Sequence, residues 1–194
     1  MEIIFATSNS NKLFEAKGIL GEGFSIKTPA AFGITDEIPE EGATLEENAL
    51  FKAQYIYQKT GKACFADDTG LETVALNGAP GVKSARYASP ECDSAKNIEK
   101  LLKELKGHTN TSARFKTVIA FISEKESCFF EGILNGKITF KRAGINGFGY
   151  DPVFIPDNYT KTLAELSHSE KNLISHRALA LQKLADYLRK RPNK

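Results

Sequence analysis

Ala113–Ser123 (ARFKTVIAFIS), Glu124–Ser127 (EKES) and Cys128–Leu134 (CFFEGIL) form the stretch that decides the fold class. The first run alternates and is rich in β-branched and aromatic residues, so it reads as a strand. The second run reads as its hairpin partner across the polar tetrapeptide. A hairpin requires an antiparallel pair, so the sheet cannot be purely parallel. The flanking sequence is of a different kind. Glu2–Ala6 is a short apolar run suited to a buried strand, followed by the polar turn Thr7–Lys12. Leu13, Ala16, Ile19 and Leu20 then recur at helical spacing up to Gly21, and Phe24–Lys27 reads as a second strand.

Pro29 to Gly42 reads as loop. Thr44 and Glu47 have capping-box spacing for a helix that runs to about Thr60 and stops at Gly61. Ala63–Ala66 is an apolar strand that ends in Asp67-Asp68-Thr69-Gly70, and Gly78-Ala79-Pro80-Gly81 is a turn. Ser94 caps a helix carrying Ile98, Leu101, Leu102 and Leu105, stopped at Gly107. Ile138–Lys141 is a further short strand and Gly144–Pro152 a Gly-rich loop. Ser167-His168-Ser169-Glu170 is a second capping box. The last helix carries Leu179, Leu181, Leu184, Ala185 and Leu188 and ends in Arg189-Lys190-Arg191, cations that complement its dipole. The expected fold is α/β or α+β with a mixed sheet, in a single domain over residues 1–194 with no separable linker.

At 194 residues the chain is long enough to bury a core without disulfides. Lys+Arg 26 against Asp+Glu 24 leaves a formal charge of +2, which argues against a broad nucleic-acid footprint. No apolar run approaches the ~20 residues of a membrane span, and Ile3–Ala6 is too short for a secretory signal. Cys64, Cys92 and Cys128 form no CxxC pair and have no His at zinc spacing, so reduced thiols and a cytoplasmic location are expected.

Five constellations bear on chemistry. Thr7-Ser8-Asn9-Ser10-Asn11-Lys12 opens a helix, where backbone N–H groups favour anions and Lys12 adds a point charge suited to phosphate. It is not a Walker loop. Asp67-Asp68 places two repelling carboxylates at a strand exit, a costly arrangement unless a cation offsets it. Mg²⁺, which takes one or two carboxylates plus phosphates and waters, is such a cation. Pro39-Glu40-Glu41-Gly42 offers a further carboxylate. In Gly147-Phe148-Gly149-Tyr150-Asp151-Pro152 two glycines flank an aromatic, which suits stacking on a base. Lys171 and Ser175-His176-Arg177 offer donors for the acceptors on a purine edge. Each also has a plain structural reading: a capped helix start, an Asx-rich turn, solvated glutamates, a tight turn over a core Phe148, a helix-start histidine. His108 and His168 have no matching partners and read as surface residues. Together the five form the equipment of a metal-dependent nucleotide enzyme.

The ordered segments resemble the inosine triphosphate pyrophosphatase family, the dITP/XTP pyrophosphatases. They are Ala6–Lys12, Glu47-Asn48-Ala49 with Lys52-Ala53, Ala66–Leu71, Gly78–Gly81, Ser84–Tyr87, Gly147–Pro152, and Glu170-Lys171-Asn172 leading to Ser175-His176-Arg177. The resemblance spans residue 3 to about 188. It implies an elongated two-lobed α/β fold, with a long mixed sheet flooring a central cleft, and a homodimer; the charge balance and the lack of a long apolar run give no expectation of a nucleic-acid or membrane partner. It implies Mg²⁺-dependent hydrolysis of ITP, dITP and XTP to the monophosphate and pyrophosphate, which keeps deaminated purines out of DNA and RNA. By position, Asp68 is implied as general base and metal ligand. Glu40 is implied as the second ligand, with Glu41 beside it as the alternative. Thr7, Ser8, Asn9, Ser10, Asn11 and Lys12 are implied to hold the triphosphate and Thr69 to contact the nucleotide. Phe148, Gly149, Tyr150, Asp151, Lys171, His176 and Arg177 are implied to hold the base and its surroundings. The family's loop often begins Thr-Gly-Asn; here Ser8 stands in place of the glycine. A nucleotide sensor without turnover and a Maf-type pyrophosphatase acting on pyrimidine nucleotides are the competing readings.

Overall fold

The computed structural model describes residues 1–36, 38 and 40–190. The elements, in chain order, are β1 (Glu2–Phe5), α1 (Ser10–Leu20), β2 (Ser25–Lys27), α2 (Leu45–Thr60), β3 (Cys64–Thr73) and β4 (Pro80–Gly81). They continue as α3 (Ser94–Leu105), β5 (Ser112–Ser123), β6 (Glu126–Ile138), β7 (Phe154–Pro156), α4 (His168–Ile174) and α5 (His176–Arg189). Strand order is β2-β1-β3-β5-β6-β7, with β4 on β3. β1 is parallel to both β2 and β3, whereas β4 is antiparallel to β3 and β7 to β6. The sheet is therefore mixed, as the hairpin required.

The chain divides into two compact units, neither of them contiguous. The first comprises Met1–Asp68, Thr117–Gly132 and the segment from Arg177; the second comprises Thr69–Lys116 and Ile133–His176. The core of the first is Ile3, Phe5, Phe65, Ile119 and Phe121 from strands against Ala16, Leu20, Leu181, Leu184 and Leu188 from α1 and α5. The Phe5 and Phe65 rings stack at 4.4 Å. The core of the second unit joins Leu71, Phe115, Ile138 and Phe154 to Ile98, Leu101 and Leu105 of α3. No helix among the described residues is long and apolar enough to cross a membrane. The three cysteines are free, and burial pushes the Cys64 thiol up to about 12.

Several boundaries differ from the sequence expectation. The strand expected over Ala63–Ala66 does not end there: β3 runs from Cys64 to Thr73, because its ladder continues onto β4 at Leu71↔Gly81 and Glu72↔Pro80. Ile138–Lys141 is not a separate strand, since β6 is continuous to Ile138 and pairs there with Phe154. Asp93, not Ser94, caps α3; its Oδ1 accepts from the N–H groups of Ala95 and Lys96 and adds the negative charge that a helix start favours. Thr44 caps α2 as expected, but the Glu47 carboxylate takes the Ala43 N–H, one residue earlier than in a capping box. The box at Ser167 and Glu170 forms in full. In α5 the expected Leu181, Leu184, Ala185 and Leu188 are buried, but Leu179 is exposed and Ala180 beside it is buried instead. Pro39 and Arg191–Lys194 lie outside the described residues.

One glycine ties the Gly-rich loop to the second unit. Gly144 sits at φ +81°, and a Cβ there would lie 2.1 Å from the Ala164 carbonyl carbon. The next two N–H groups, of Ile145 and Asn146, both donate to the Ala164 carbonyl oxygen. Gly144→Ala is expected to cost about 2–4 kcal/mol of stability, read as a lowered urea midpoint, through backbone strain and overpacking.

Candidate active site

Consecutive strand residues face opposite sides of a sheet. Asp67 and Asp68 therefore separate, and each meets its own partners. Asp67 Oδ1 accepts from Lys12 Nζ at 3.0 Å, and its Oδ2 from Arg177 Nε at 3.0 Å. Arg177 Nη1 donates to Glu15 Oε2 at 2.5 Å. Lys12 and Glu15 are one turn apart on α1, so that helix supplies one cation and one anion to the same cluster. Glu15, Asp67 and Arg177 are all buried, and their formal charges cancel with that of Lys12. Burial alone would raise the Asp67 pKa; Lys12, Arg177 and Lys52 overcome it and hold the carboxyl well below the usual range. Burial lowers Lys12, against the pull of Asp67.

Asp68 has a different environment. Asn48 Nδ2 donates to its Oδ2 at 3.1 Å, and Lys52 Nζ lies 3.5 Å from its Oδ1. The same ammonium donates to Glu40 Oε1 at 2.5 Å. Burial raises the Asp68 pKa, and the charge of Glu40 adds to this against Lys52 and Lys12. Burial would lower Lys52, but Asp68, Glu40 and Asp67 raise it. Glu41, by contrast, is exposed. Glu40 and Asp68 thus converge on one point of positive charge, a donor set that suits a hard, oxygen-liganded divalent cation. Among the described residues no three His, Cys, Asp or Glu side chains group closely enough to hold a metal. Two carboxylates completed by phosphate oxygens and water match that set.

At the start of α1, Asn9 is the N-cap: its Oδ1 accepts from the N–H groups of Asn11 and Lys12 at 2.9 and 3.2 Å, and its own N–H donates to Thr7 Oγ1. Two N–H groups of that helix start are thus already paired with a side chain. Ser8, Ser10 and Asn11 are exposed there.

The second unit holds a separate cluster. Gly147 and Gly149 have φ of +77° and +62°, and a Cβ on Gly147 would meet Asp151 Oδ2 at 2.1 Å. That oxygen accepts from the Phe148 N–H and from Lys171 Nζ, both at 2.8 Å. Lys171 Nζ also lies 5.0 Å from the centre of the Phe148 ring. Tyr150 is buried, and its hydroxyl donates to the Ser84 carbonyl at 2.9 Å. His176 stacks on Phe115 at 4.6 Å with the planes 12° apart. Thr69 is half-buried in β3.

The expected residues therefore fall into two sets. Thr7–Lys12, Glu40, Asp68 and Arg177 belong to the first unit; Thr69, Phe148–Asp151, Lys171 and His176 belong to the second. The guanidinium expected beside the base is engaged by Asp67 and Glu15. Glu15, Asn48, Lys52 and Phe115 join these clusters without being expected there. For two of these a signal was available. Asn48 and Lys52 share a face of α2 with Leu45, Ala49, Ala53 and Ile56, so polar residues occupy core positions.

The Ham1 family model matches residues 3–187. A Flavobacterium johnsoniae protein named dITP/XTP pyrophosphatase is 48% identical over 188 residues, covering 97% of this chain and 98% of the relative. The solved HAM1 protein of Coxiella burnetii is 38% identical with a TM-score of 0.91, over 98% of this chain and 100% of that one. The Staphylococcus aureus Ham1 protein is 37% identical with a TM-score of 0.89, over 97% and 98%. With a family match over nearly its whole length and relatives of this similarity, the chain belongs to the Ham1 family.

Proposed function

We propose that the protein hydrolyses non-standard purine nucleoside triphosphates, dITP, ITP and XTP, to the monophosphate and pyrophosphate. The observation that carries this reading is the convergence of Asp68 and Glu40 on Lys52, beside the α1 start that bears Lys12. The names of the relatives supply the substrate class. Asp68 and Glu40 would hold Mg²⁺, which when bound would offset charge on the phosphate oxygens.

Asp68 accepts a proton from water, whose oxygen forms a bond to the α-phosphorus as the Pα–O–Pβ bond breaks. Its Oδ2 is oriented by the Asn48 amide, which leaves the carboxylate fixed to take that proton. The electron pair leaves on pyrophosphate, and Lys12 and Lys52 neutralise that charge. Each ammonium has three donors, so Lys12 can hold Asp67 and a phosphate oxygen together. Thr7–Asn11 line the phosphates and Thr69 contacts the nucleotide. Phe148 stacks on the purine, with Gly149, Tyr150 and Asp151 shaping that turn. Lys171 and His176 serve the base and its surroundings, whereas Arg177 holds Asp67 and Glu15. Donors facing a 6-oxo group reject adenine, whose amino group would leave them unpaired. The active form is a homodimer.

The test is product identity. With Mg²⁺, ITP, dITP and XTP are each expected to yield pyrophosphate and the corresponding monophosphate, with dUTP and modified UTP poor substrates. Release of orthophosphate alone, or binding without release, would contradict the reading.

A further inference from the structure

Helix α2 carries a polar stripe at Asn48, Lys52, Tyr55 and Lys59, spaced four, three and four residues apart and so on one face. Each member of the stripe holds a residue of the preceding loop, in reverse order. Asn48 Oδ1 accepts the Gly42 N–H at 2.8 Å. Lys52 holds Glu40. Tyr55 Oη and Lys59 Nζ both donate to Asp36 Oδ2, at 2.9 and 2.6 Å. Asn48 also holds Asp68 through its Nδ2, so one side chain fixes both the inner end of the loop and the strand carboxylate. Gly42 is packed closely enough that a Cβ would lie 2.7 Å from Asn48 Oδ1.

Asp36 and Gly42, six residues apart in the chain, are held at opposite ends of the stripe. From Asn48 to Lys59 the helix rises about 16 Å. The chain from Asp36 to Gly42 reaches at most about 22 Å. Glu40 is thus held directly by Lys52 and lies between two further anchors, at Asp36 and Gly42.

We infer that Asp36, held by Tyr55 and Lys59, is a positioning residue that keeps Glu40 opposite Asp68 and so sets the divalent cation concentration at which the site fills. The inference rests on the proposed metal role of Glu40 and Asp68. The outer tether is an exposed ion pair, and salt screens it; the inner tether at Asn48 is buried. The cation requirement of the wild-type protein therefore rises with ionic strength.

The test uses Mn²⁺ alone, with binding to the full chain read by electron paramagnetic resonance and no turnover needed. Asp36→Asn and Lys59→Met are expected to weaken Mn²⁺ binding about twofold to fivefold at low salt, the range an exposed ion pair allows. The difference from wild type should disappear in about 1 M KCl, where the Debye length is about 3 Å. The exchanged pair Asp36→Lys with Lys59→Asp should restore part of the affinity. In turnover assays the same variants should need more Mg²⁺ for half-maximal rate and keep the wild-type rate at saturating Mg²⁺. Unchanged Mn²⁺ affinity in Asp36→Asn, alongside a loss in Glu40→Gln, would overturn the tether and spare the metal reading. Unchanged affinity in Glu40→Gln would overturn both. A rate lost equally at all Mg²⁺ concentrations would also overturn the tether.

Discussion

Asp68→Asn is expected to lower pyrophosphate release from ITP by about 10²–10⁴-fold, the range contributed by a positioned general base. The amide is close in shape and can still pair with Asn48, but it cannot take a proton from water or serve as an anionic ligand. The stability of the metal-free protein should move the other way. Burial raises the Asp68 pKa, so the folded state holds its proton more tightly than the unfolded chain does. An acid shifted in that direction costs stability as the pH rises from the unfolded value toward the folded one, and the cost persists above it. Asp68→Asn removes that cost. In EDTA at neutral pH the variant should unfold at a urea midpoint equal to or above that of wild type. A variant that is both inactive and clearly less stable would mean that Asp68 is structural rather than catalytic. An unchanged rate would remove it from the mechanism.

The adjacent carboxylate shows where the sequence was informative and where it was not. That Asp67 and Asp68 are unusual was legible, because two anions beside an apolar run need compensation. The expectation of a strand exit was wrong for a local reason. Compensation comes from side chains brought in by α1, α2 and α5, and nothing near residue 67 reveals them. Arg177 is 110 residues from Asp67 and 162 from Glu15. Long-range pairs of this kind leave no periodic trace. Local signals are legible. The Ser167 box, the Gly61 stop and the 113–134 hairpin depend on neighbours in the chain, and all three stand. The Gly-Phe-Gly turn was legible as a special backbone, since both glycines take positive φ. Its anchoring by Asp151 and Lys171 was not, because a carboxylate that organises a loop and one that meets a ligand look alike in sequence.

Arg177→Met is expected to destabilise the protein by about 3–5 kcal/mol, the cost of breaking a buried ion pair from one side. Methionine fills much of the volume, so lost packing is a small part of this. The larger part is that Asp67 and Glu15, both buried, lose a shared counter-ion. The pH dependence separates this from a simple cavity. Wild-type Asp67 is held far below its unfolded pKa of about 3.9, so it contributes stability above that pH and loses it progressively as the pH falls toward its folded value. In the variant the folded pKa of Asp67 moves back up, and that contribution shrinks. The gap in urea midpoint between the two proteins should therefore be full at pH 7 and narrow as the pH is lowered past about 4. Adding Glu15→Gln to Arg177→Met should recover part of the loss at pH 7, because one of the two buried charges is then neutral. A gap that stays constant from pH 7 to pH 3.5, with no recovery in the double variant, would show that Arg177 stabilises by packing and that the charge network is incidental.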